Sequence, residues 1–368
     1  MYCDRLKKLE VLVTKNRLDG IVLNPGASLT YLTGLEFHMM ERPVVFVFVP
    51  GKLPALVLPE LEKAKLKETP FDCHPFFFGD NPADRDRAFQ NALNKVPLIN
   101  MRIGVEPTRF RYLEFQYLTN ATPTTHFLDG SQVFNYLRIQ KDDSEVTAMR
   151  KAVDIAQKAF LALLPQIRIG VSEKEMANEL TTLLLKFGSD PELPFQVIFS
   201  SGPNSANPHA TPSDRKIQEG DLVVIDWGAN YNGYASDLTR TLVMGSPTDE
   251  QIKIAESVLH ANKAGREAGR PGIHAGAVDH AARAEIEKDG FGDYFTHRTG
   301  HGLGMEAHET PYMFAENEEL LSTGMVYTVE PGIYLPEKGG VRIEDDVLVT
   351  ENGSSSLSDL PRELYIIK

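Results

Sequence analysis

The chain contains only two cysteines, Cys3 and Cys73, among its 368 residues. Two thiols are too few for a disulfide framework, and neither has the C-x-x-C partner that is typical of structural zinc or redox sites. We therefore expect both cysteines to pack as small apolar residues and the chemistry of the protein to depend on other side chains.

The sequence also lacks a long apolar run. No segment approaches the roughly 18 consecutive apolar residues of a membrane-spanning helix. The amino-terminal stretch MYCDRLKKLEVLVTKNRLDG is too charged for the apolar core of a signal peptide. These features predict a cytoplasmic protein without a membrane partner.

Positive charge is in deficit, because 38 lysines and arginines face 51 aspartates and glutamates, for a formal net charge of -13. This balance argues against nucleic acid or an anionic membrane as a partner, although acidic clusters that bind cations would contribute to it. The remaining composition, 42% hydrophobic and 24% charged, is ordinary for a globular protein with length for two domains.

The first part of the chain alternates short apolar runs with helical patterns. Strands are predicted in DGIVL, PVVFVFVP, PALVLP and RIGVE, and helices in PELEKAKLKE and TRFRYLEFQYL. A polar stretch, NYLRIQKDDSE, then separates this part from the rest of the chain. We predict a small α/β domain over residues 1–137.

The second part, residues 138–368, combines long helices with pairs of strands. Ser172 and Glu175 form a capping box for a helix that ends near Gly188, and a further helix is predicted to begin at Thr248. Strand pairs with glycine turns lie between and after these helices. The pattern predicts an α+β domain with antiparallel strands.

Two acidic residues flank a predicted hairpin in the stretch VVIDWGANYNGYASDLTRT. Its Asn-Gly pair at 232–233 predicts a type I′ turn, which requires positive φ at both central positions. That turn pairs Tyr231 with Tyr234 and places Asp226 and Asp237 on one face as diagonal neighbours. Carboxylates side by side should share a proton or hold a metal ion.

Further candidate ligands lie in THRTGHGLGMEAHETP, YTVEPGIY and GGVRIEDDVLV. They are His301 among glycines, Glu330 at a strand end and Glu344 on a strand that leaves a glycine turn. With the two aspartates they make four acids and one histidine. Such an oxygen-rich set suits paired Mn(II), Co(II) or Zn(II) ions better than a zinc–thiolate site.

In these motifs the chain resembles the M24 metallopeptidases, which share the pita-bread fold, and within them the Xaa-Pro branch of prolidases and aminopeptidase P. The resemblance covers nearly the whole chain. It implies a pita-bread catalytic domain preceded by a creatinase-like domain, a homodimer, and two divalent metal ions per subunit, with manganese expected and cobalt or zinc as alternatives. Its metal-ligand positions fall, in order, on Asp226, Asp237, His301, Glu330 and Glu344.

The resemblance also implies a reaction. In the family a metal-bridging hydroxide attacks the carbonyl carbon of the bond before proline, and Glu330 matches the acid that takes the proton of the water. His209 and His308 match histidines that hydrogen-bond the substrate and stabilise the tetrahedral intermediate. Three more residues resemble groups that line the proline pocket or orient metal-bound carboxylates: His297, Arg342 and Tyr334.

The residues leave the length of the substrate open. Some prolidases carry an arginine four residues after the position of His308, where it binds the carboxylate of a dipeptide, but this chain has Tyr312 there. Arg42 or Arg298 could bind that carboxylate instead. Xaa-Pro dipeptidase activity on proline-containing peptides is the leading prediction and aminopeptidase P activity on longer peptides the alternative. Two further alternatives are a different hydrolase and a non-catalytic binding protein on the same fold.

Overall fold

The computed structural model describes residues 2–368. The chain forms two compact units, Met1–Arg138 and Ile139–Lys368, whereas the sequence pattern placed a boundary after residue 137. Within residues 2–368, none of the helices combines the length and the apolar character that crossing a bilayer requires.

The first unit is a six-stranded mixed sheet with helices around it. The sheet order is β4-β3-β2-β1-β5-β6. The strands are β1 Gly20–Leu23, β2 Val45–Phe48, β3 Ala55–Pro59, β4 His74–Phe78, β5 Arg102–Val105 and β6 His126–Asp129. The helices are α1 Tyr2–Lys15, α2 Ala27–Thr33, α3 Ala83–Lys95, α4 Tyr112–Ala121 and α5 Ser131–Arg138.

The central strands of this sheet are buried along their whole length, which explains their unbroken apolar runs. One predicted helix differs, because PELEKAKLKE forms a 3₁₀ helix over Glu60–Glu68. None of residues 60–67 is buried, so the segment has no apolar face whose packing would stabilise an α-helix.

The second unit contains four α-helices: α6 Asp143–Leu163, α7 Glu173–Lys186, α8 Asp249–Ala268 and α9 Gly276–Lys288. The predicted capping boxes at the starts of α7 and α8 are both present. The spacing of Met176, Leu180, Leu183, Leu184 and Phe187 predicts one apolar stripe on α7, and the first four are buried. Phe187 is 38% exposed, because the helix ends at Lys186 and the next residue leaves the buried face.

Most strands of the second unit form two sheets, ordered β19-β11-β8-β7 and β13-β12-β14-β17-β18. The first sheet has β7 Ile198–Ser201, β8 Leu222–Trp227, β11 Leu238–Met244 and β19 Tyr365–Ile367. The second has β12 Gly300–Gly302, β13 Glu309–Met313, β14 Val326–Val329, β17 Asp345–Thr350 and β18 Gly353–Ser356. Two hairpins complete the unit, β9 Asn230–Tyr231 with β10 Tyr234–Ala235, and β15 Gly332–Leu335 with β16 Gly339–Arg342.

The two sheets meet at one backbone bridge, between Thr239 of β11 and Glu344 just before β17. Beneath the first sheet, Trp227 stacks on Phe160 of α6 with ring centroids 4.6 Å apart, and its indole N–H donates to the carbonyl of Ala156. The core therefore fixes β8 and β11 close to the bridge, and the polar residues singled out from the sequence surround this point.

Candidate metal centre

The hairpin predicted from the Asn-Gly pair is present. Tyr231 pairs with Tyr234, and the turn residues Asn232 and Gly233 have φ values of 51° and 75°. Both angles lie in the left-handed region that a type I′ turn requires. The predicted turn is confirmed.

The same register continues outward into β8 and β11. Asp226 lies opposite Thr239, and Trp227 lies opposite Leu238, so no bulge intervenes between the turn and the sheet. Asp237 immediately precedes β11. The two aspartates therefore project from one face as diagonal neighbours. Burial raises the pKa of Asp237, and the charges of Glu344 and Asp226 raise it further.

The second sheet brings a histidine and a glutamate to the same place. His301 lies in the short glycine-flanked strand β12, and its Nε2 is 3.6 Å from Oδ2 of Asp237. The same nitrogen is 3.4 Å from Oε1 of Glu330, which follows the end of β14. The Glu330 backbone N–H donates to the carbonyl of Thr299, and this bond sets where the strand delivers its side chain.

Glu344 reaches the cluster through the bridge between the sheets. Its backbone N–H donates to the Thr239 carbonyl at 3.1 Å, and the Thr239 hydroxyl donates to Glu344 Oε2 at 2.7 Å. One ligand atom each from Asp237, His301 and Glu344 lie within 4.8 Å of one another, close enough to share a metal ion.

The electrostatics of this cluster favour a bound cation. Burial, followed by repulsion from neighbouring carboxylates, raises the pKa of Asp237 and Glu344 well above the usual range. Burial also raises the pKa of Asp226 and raises that of Glu330 to about 7. Burial lowers the pKa of His301 to about 3, so its imidazole is neutral at pH 7, the form that binds metal.

The residues present fit divalent ions. Asp226 Oδ1 is buried and, within residues 2–368, accepts no hydrogen bond from an N–H group or a hydroxyl, although a buried carboxylate oxygen without such a donor is costly. Four carboxylates with one neutral imidazole form the hard donor set that Mn(II), Co(II) or Zn(II) accepts. The donor chemistry and the orphaned oxygen together make this cluster the candidate metal centre.

Arg342 connects the cluster to its surroundings. Its Nη2 donates to Asp226 Oδ2 at 2.7 Å, its Nη1 to the Tyr334 hydroxyl at 3.0 Å and its Nε to the Thr239 hydroxyl at 3.2 Å. The side chain is 3% exposed. Arg342 thus fixes the orientation of the Asp226 carboxylate, and the donors on its planar guanidinium suit that task.

His297 extends this chain of hydrogen bonds. Its Nδ1 lies 2.7 Å from the carbonyl of Arg298 and its Nε2 lies 2.9 Å from the Tyr334 hydroxyl. A carbonyl can only accept, so Nδ1 carries the proton and Tyr334 donates to Nε2. Burial lowers the pKa of His297 to about 4, which agrees with a neutral ring.

A cavity of about 650 Å³ opens above the cluster. His209 and His308 both line it and are exposed. The His308 ring lies 3.9 Å from that of His301 between centroids. The cavity is lined by Phe195, Gln196, Ile198, Pro208, His209, Asp226, Asp237, His297, Arg298, His301, His308, Glu330, Arg342 and Glu344. It therefore brings together all five predicted ligands and four of the other predicted site residues, His209, His297, His308 and Arg342.

Two further residues support the ligands. The sequence pattern indicates no role for Thr239 and a structural or solvated one for Asp346. Asp346 is structural, because it is fully buried and its Oδ2 accepts the backbone N–H of Asp237 at 3.1 Å. Strand alternation places Asp346 on the same face as Glu344, so this signal was available. Nothing local in the sequence signalled Thr239, because its role depends on the bridge between the sheets.

The raised pKa values predict how stability depends on pH without metal. The folded chain holds protons on Asp237, Glu344 and Glu330 that the unfolded chain has lost, so stability falls as pH rises through the folded-state pKa values. His297 and His301 act in the opposite direction, but only below the ordinary histidine pKa of 6.5. We therefore expect the free energy of unfolding to fall between pH 6.5 and 8, by about 1.4 kcal/mol per pH unit for each proton involved.

Urea unfolding at pH 6.5 and pH 8, with chelator and with saturating Mn(II), measures this effect. Bound cations favour the ionised carboxylates, so metal should remove the decline. If the free energy of unfolding fell equally from pH 6.5 to pH 8 with and without metal, the cluster would not bind metal.

Comparison with known proteins places this site in a family. Residues 147–351 match the model of metallopeptidase family M24, and residues 5–140 match that of the creatinase/prolidase N-terminal domain. The chain is 38% identical over 361 residues to the Xaa-Pro dipeptidase of Pyrococcus furiosus, covering 98% of this chain and 99% of the relative.

Solved structures agree. The recombinant prolidase from Thermococcus sibiricus is 36% identical and superposes with a TM-score of 0.94, covering 100% of this chain and 99% of that one. The X-Pro aminopeptidase from Thermotoga maritima is 30% identical with a TM-score of 0.85, covering 98% and 99%. The predicted pita-bread catalytic domain and creatinase-like amino-terminal domain are confirmed. The chain belongs to metallopeptidase family M24.

Proposed function

We propose that the protein is a Xaa-Pro dipeptidase whose two divalent ions are held by Asp226, Asp237, His301, Glu330 and Glu344. The observation that carries the proposal is the buried carboxylate–histidine cluster at the base of a cavity that is also lined by Arg298. Relatives named as Xaa-Pro dipeptidases and prolidases support it. Manganese as the bound metal and a homodimer belong to the same proposal and rest on the family resemblance.

Different residues of the site act on the attacking water and on the carbonyl of the scissile bond. Divalent ions bound here would lower the pKa of water from about 15.7 toward neutrality, and they would polarise the carbonyl group of the scissile bond. Glu330 accepts the proton of the attacking water, because its side chain is 17% exposed to the cavity. The side chains of Asp226 and Asp237 are less exposed, at 13% and 6%.

His209 and His308 stabilise the charge that develops on the substrate. Both line the cavity and are exposed. The cavity wall partly desolvates the His308 ring, and this effect, followed by the positive charge of Arg298, lowers its pKa, so it is a neutral N–H donor at pH 7. Donors aimed at a developing oxyanion contribute most when they are held in place before the reaction.

Arg298 gives the cavity a binding group for the free carboxylate of a dipeptide. It lines the cavity, and within residues 2–368 no carboxylate pairs with its guanidinium. Tyr312 lies at the position of the missing prolidase arginine, and the Arg298 guanidinium stands 4.4 Å from the centre of its ring. Arg42 is already paired with Asp80 and Glu41, so Arg298 is the better candidate.

The test is hydrolysis by the Mn(II)-loaded protein of a Xaa-Pro dipeptide, a tripeptide extended beyond proline, and a proline-free dipeptide. We expect the Xaa-Pro dipeptide to be cut with the highest kcat/KM. Preference for the tripeptide would favour aminopeptidase P activity. Failure to cut either proline peptide would refute proline specificity.

An Arg298→Met variant sharpens this test. Loss of a charge-assisted pair should lower kcat/KM for the dipeptide by on the order of 100-fold, mainly through KM. The dipeptide carboxamide has no charge to lose and should be cut equally by variant and wild type. Arg42→Met is the matched control, and we expect it to leave the KM for the dipeptide unchanged. If Arg42→Met raised the KM for the dipeptide and Arg298→Met did not, Arg42 would be the residue that binds the carboxylate.

A further inference from the structure

A buried ion pair lies directly behind the loop that carries His308. Lys141 Nζ is 3.3 Å from Glu309 Oε2, and the two side chains are 1% and 5% exposed. Ions are costly to bury, and the pair lies outside the carboxylate cluster. Lys141 precedes α6 by two residues, whereas Glu309 begins β13, so the pair connects segments that are 168 residues apart.

The Lys141 end of the pair is firmly held. Its backbone N–H donates to the carbonyl of Gly324 at 2.8 Å, and the preceding Gln140 forms a bridge with Met325. The capping box of α6 follows at once, with Asp142 as its first residue. Lys141 therefore projects its ammonium group from a fixed backbone.

The Glu309 end holds the loop between β12 and β13. Glu309 Oε1 accepts the backbone N–H of Glu306 at 3.0 Å, and Glu309 pairs with Gly302 across the strands. At Gly304 an added Cβ would lie 2.8 Å from Lys141 Cε and 2.9 Å from Glu309 Oε1. The loop backbone thus lies against the ion pair with no room for a side chain between them.

His308 depends on this support. Its ring is exposed, and among residues 2–368 no group makes a hydrogen bond to it. Its position is therefore set by the backbone of the loop, by the adjacent Glu309 and by the contact of its ring with that of His301. A donor to a developing oxyanion loses much of its effect when displaced by about 1 Å, a change that can cost on the order of 100-fold in rate.

We propose that Lys141 is a positioning residue for His308, acting through Glu309 and the loop at 303–308. The inference rests on the proposed function, in which His308 contacts the substrate. Lys141 touches neither substrate nor metal. It keeps the loop at one distance from the carboxylate cluster, so the His308 ring meets the carbonyl of the scissile bond.

The kinetic test compares three variants under saturating Mn(II). Lys141→Met should lower kcat for a Xaa-Pro dipeptide by about 10-fold to 100-fold, with KM within about 3-fold of wild type and metal content unchanged. Lys141→Arg keeps the ion pair and should restore most of the lost kcat. Lys141→Met combined with Glu309→Gln removes both charges, so it should recover the thermal stability lost in Lys141→Met while kcat stays low.

These variants separate positioning from general destabilisation. Ile254→Ala on α8 is the control, because Ile254 belongs to a buried cluster that includes no residue of the loop, and its kcat should equal that of wild type at a temperature where it is folded. If the double variant recovered kcat together with stability, the role of the Lys141–Glu309 pair would be structural only. Unchanged kcat in Lys141→Met would overturn the proposal.

A readout independent of activity completes the test. In Zn(II)-loaded protein labelled on its 10 histidines, the imidazole NMR signal of His308 is identified by its loss in His308→Ala. Lys141→Met should shift that signal and leave those of His260 and His280, on α8 and α9, in place. An unmoved His308 signal would refute positioning. A wild-type protein that cuts no Xaa-Pro dipeptide would refute the proposed function while the signal still tests the ion pair.

Discussion

Asp237→Asn should remove at least one metal ion and lower dipeptide hydrolysis by on the order of 1,000-fold or more. The cations would no longer lower the pKa of the attacking water or polarise the carbonyl of the scissile bond. Asp237 is 4% exposed, and its Oδ2 faces His301 Nε2. Asparagine keeps the size of the side chain and the backbone N–H that donates to Asp346. The substitution therefore removes charge from the cluster and little else.

Metal content per chain and turnover, measured on the same Mn(II)-loaded sample, check this result. Asp249→Asn changes an equal charge at the exposed start of α8 and should keep both metal and activity. A variant of Asp237 that retained two ions and full turnover would remove this residue from the metal centre.

Stability supplies a second reading of the same variant. Burial and the nearby carboxylates raise the pKa of Asp237, so at pH 7 to 8 its ionised form destabilises the metal-free fold. Asp237→Asn should therefore make the metal-free protein at least as stable as wild type at pH 8, while the stabilisation by added Mn(II) shrinks. A purely structural aspartate would give the reverse, with a loss of stability that metal does not influence.

The local part of this site could be predicted from the sequence. A type I′ turn fixes the register of its own strands, so the Asn-Gly pair was enough to place Asp226 and Asp237 on one face. The motifs also indicated His301, Glu330 and Glu344 as candidate ligands, and the family resemblance grouped them with the two aspartates, which spacing alone could not do. The structure places all three beside the paired aspartates.

The contacts that connect distant segments could not be predicted. Arg298 meets the ring of Tyr312 because β12 pairs with β13 and places Tyr312 opposite His301, and no local pattern fixes which strands pair. Similarly, Lys141 meets Glu309 across 168 residues. Turn chemistry and alternation act over a few residues, whereas these pairs depend on how whole strands pack.

His308→Ala should keep both metal ions and lose turnover by about 100-fold to 1,000-fold, the usual cost of removing one donor to a developing oxyanion. The loss should appear in kcat more than in KM, because the interaction strengthens as charge develops on the carbonyl oxygen. His308 is exposed, and in residues 2–368 its ring hydrogen-bonds no other group. Its removal should therefore change the free energy of unfolding by less than about 0.5 kcal/mol.

Three measurements on His308→Ala distinguish an electrophilic role from a structural one. Metal content should match wild type, kcat should fall, and added imidazole should restore part of the lost turnover, because the removed ring leaves room in a cavity of about 650 Å³. His280→Ala, on the exposed side of α9, should change none of these quantities. Unchanged kinetics in His308→Ala would assign oxyanion stabilisation to His209 alone. It would also leave the Lys141–Glu309 pair with no catalytic group to position, so the two residues would then have to be explained by stability.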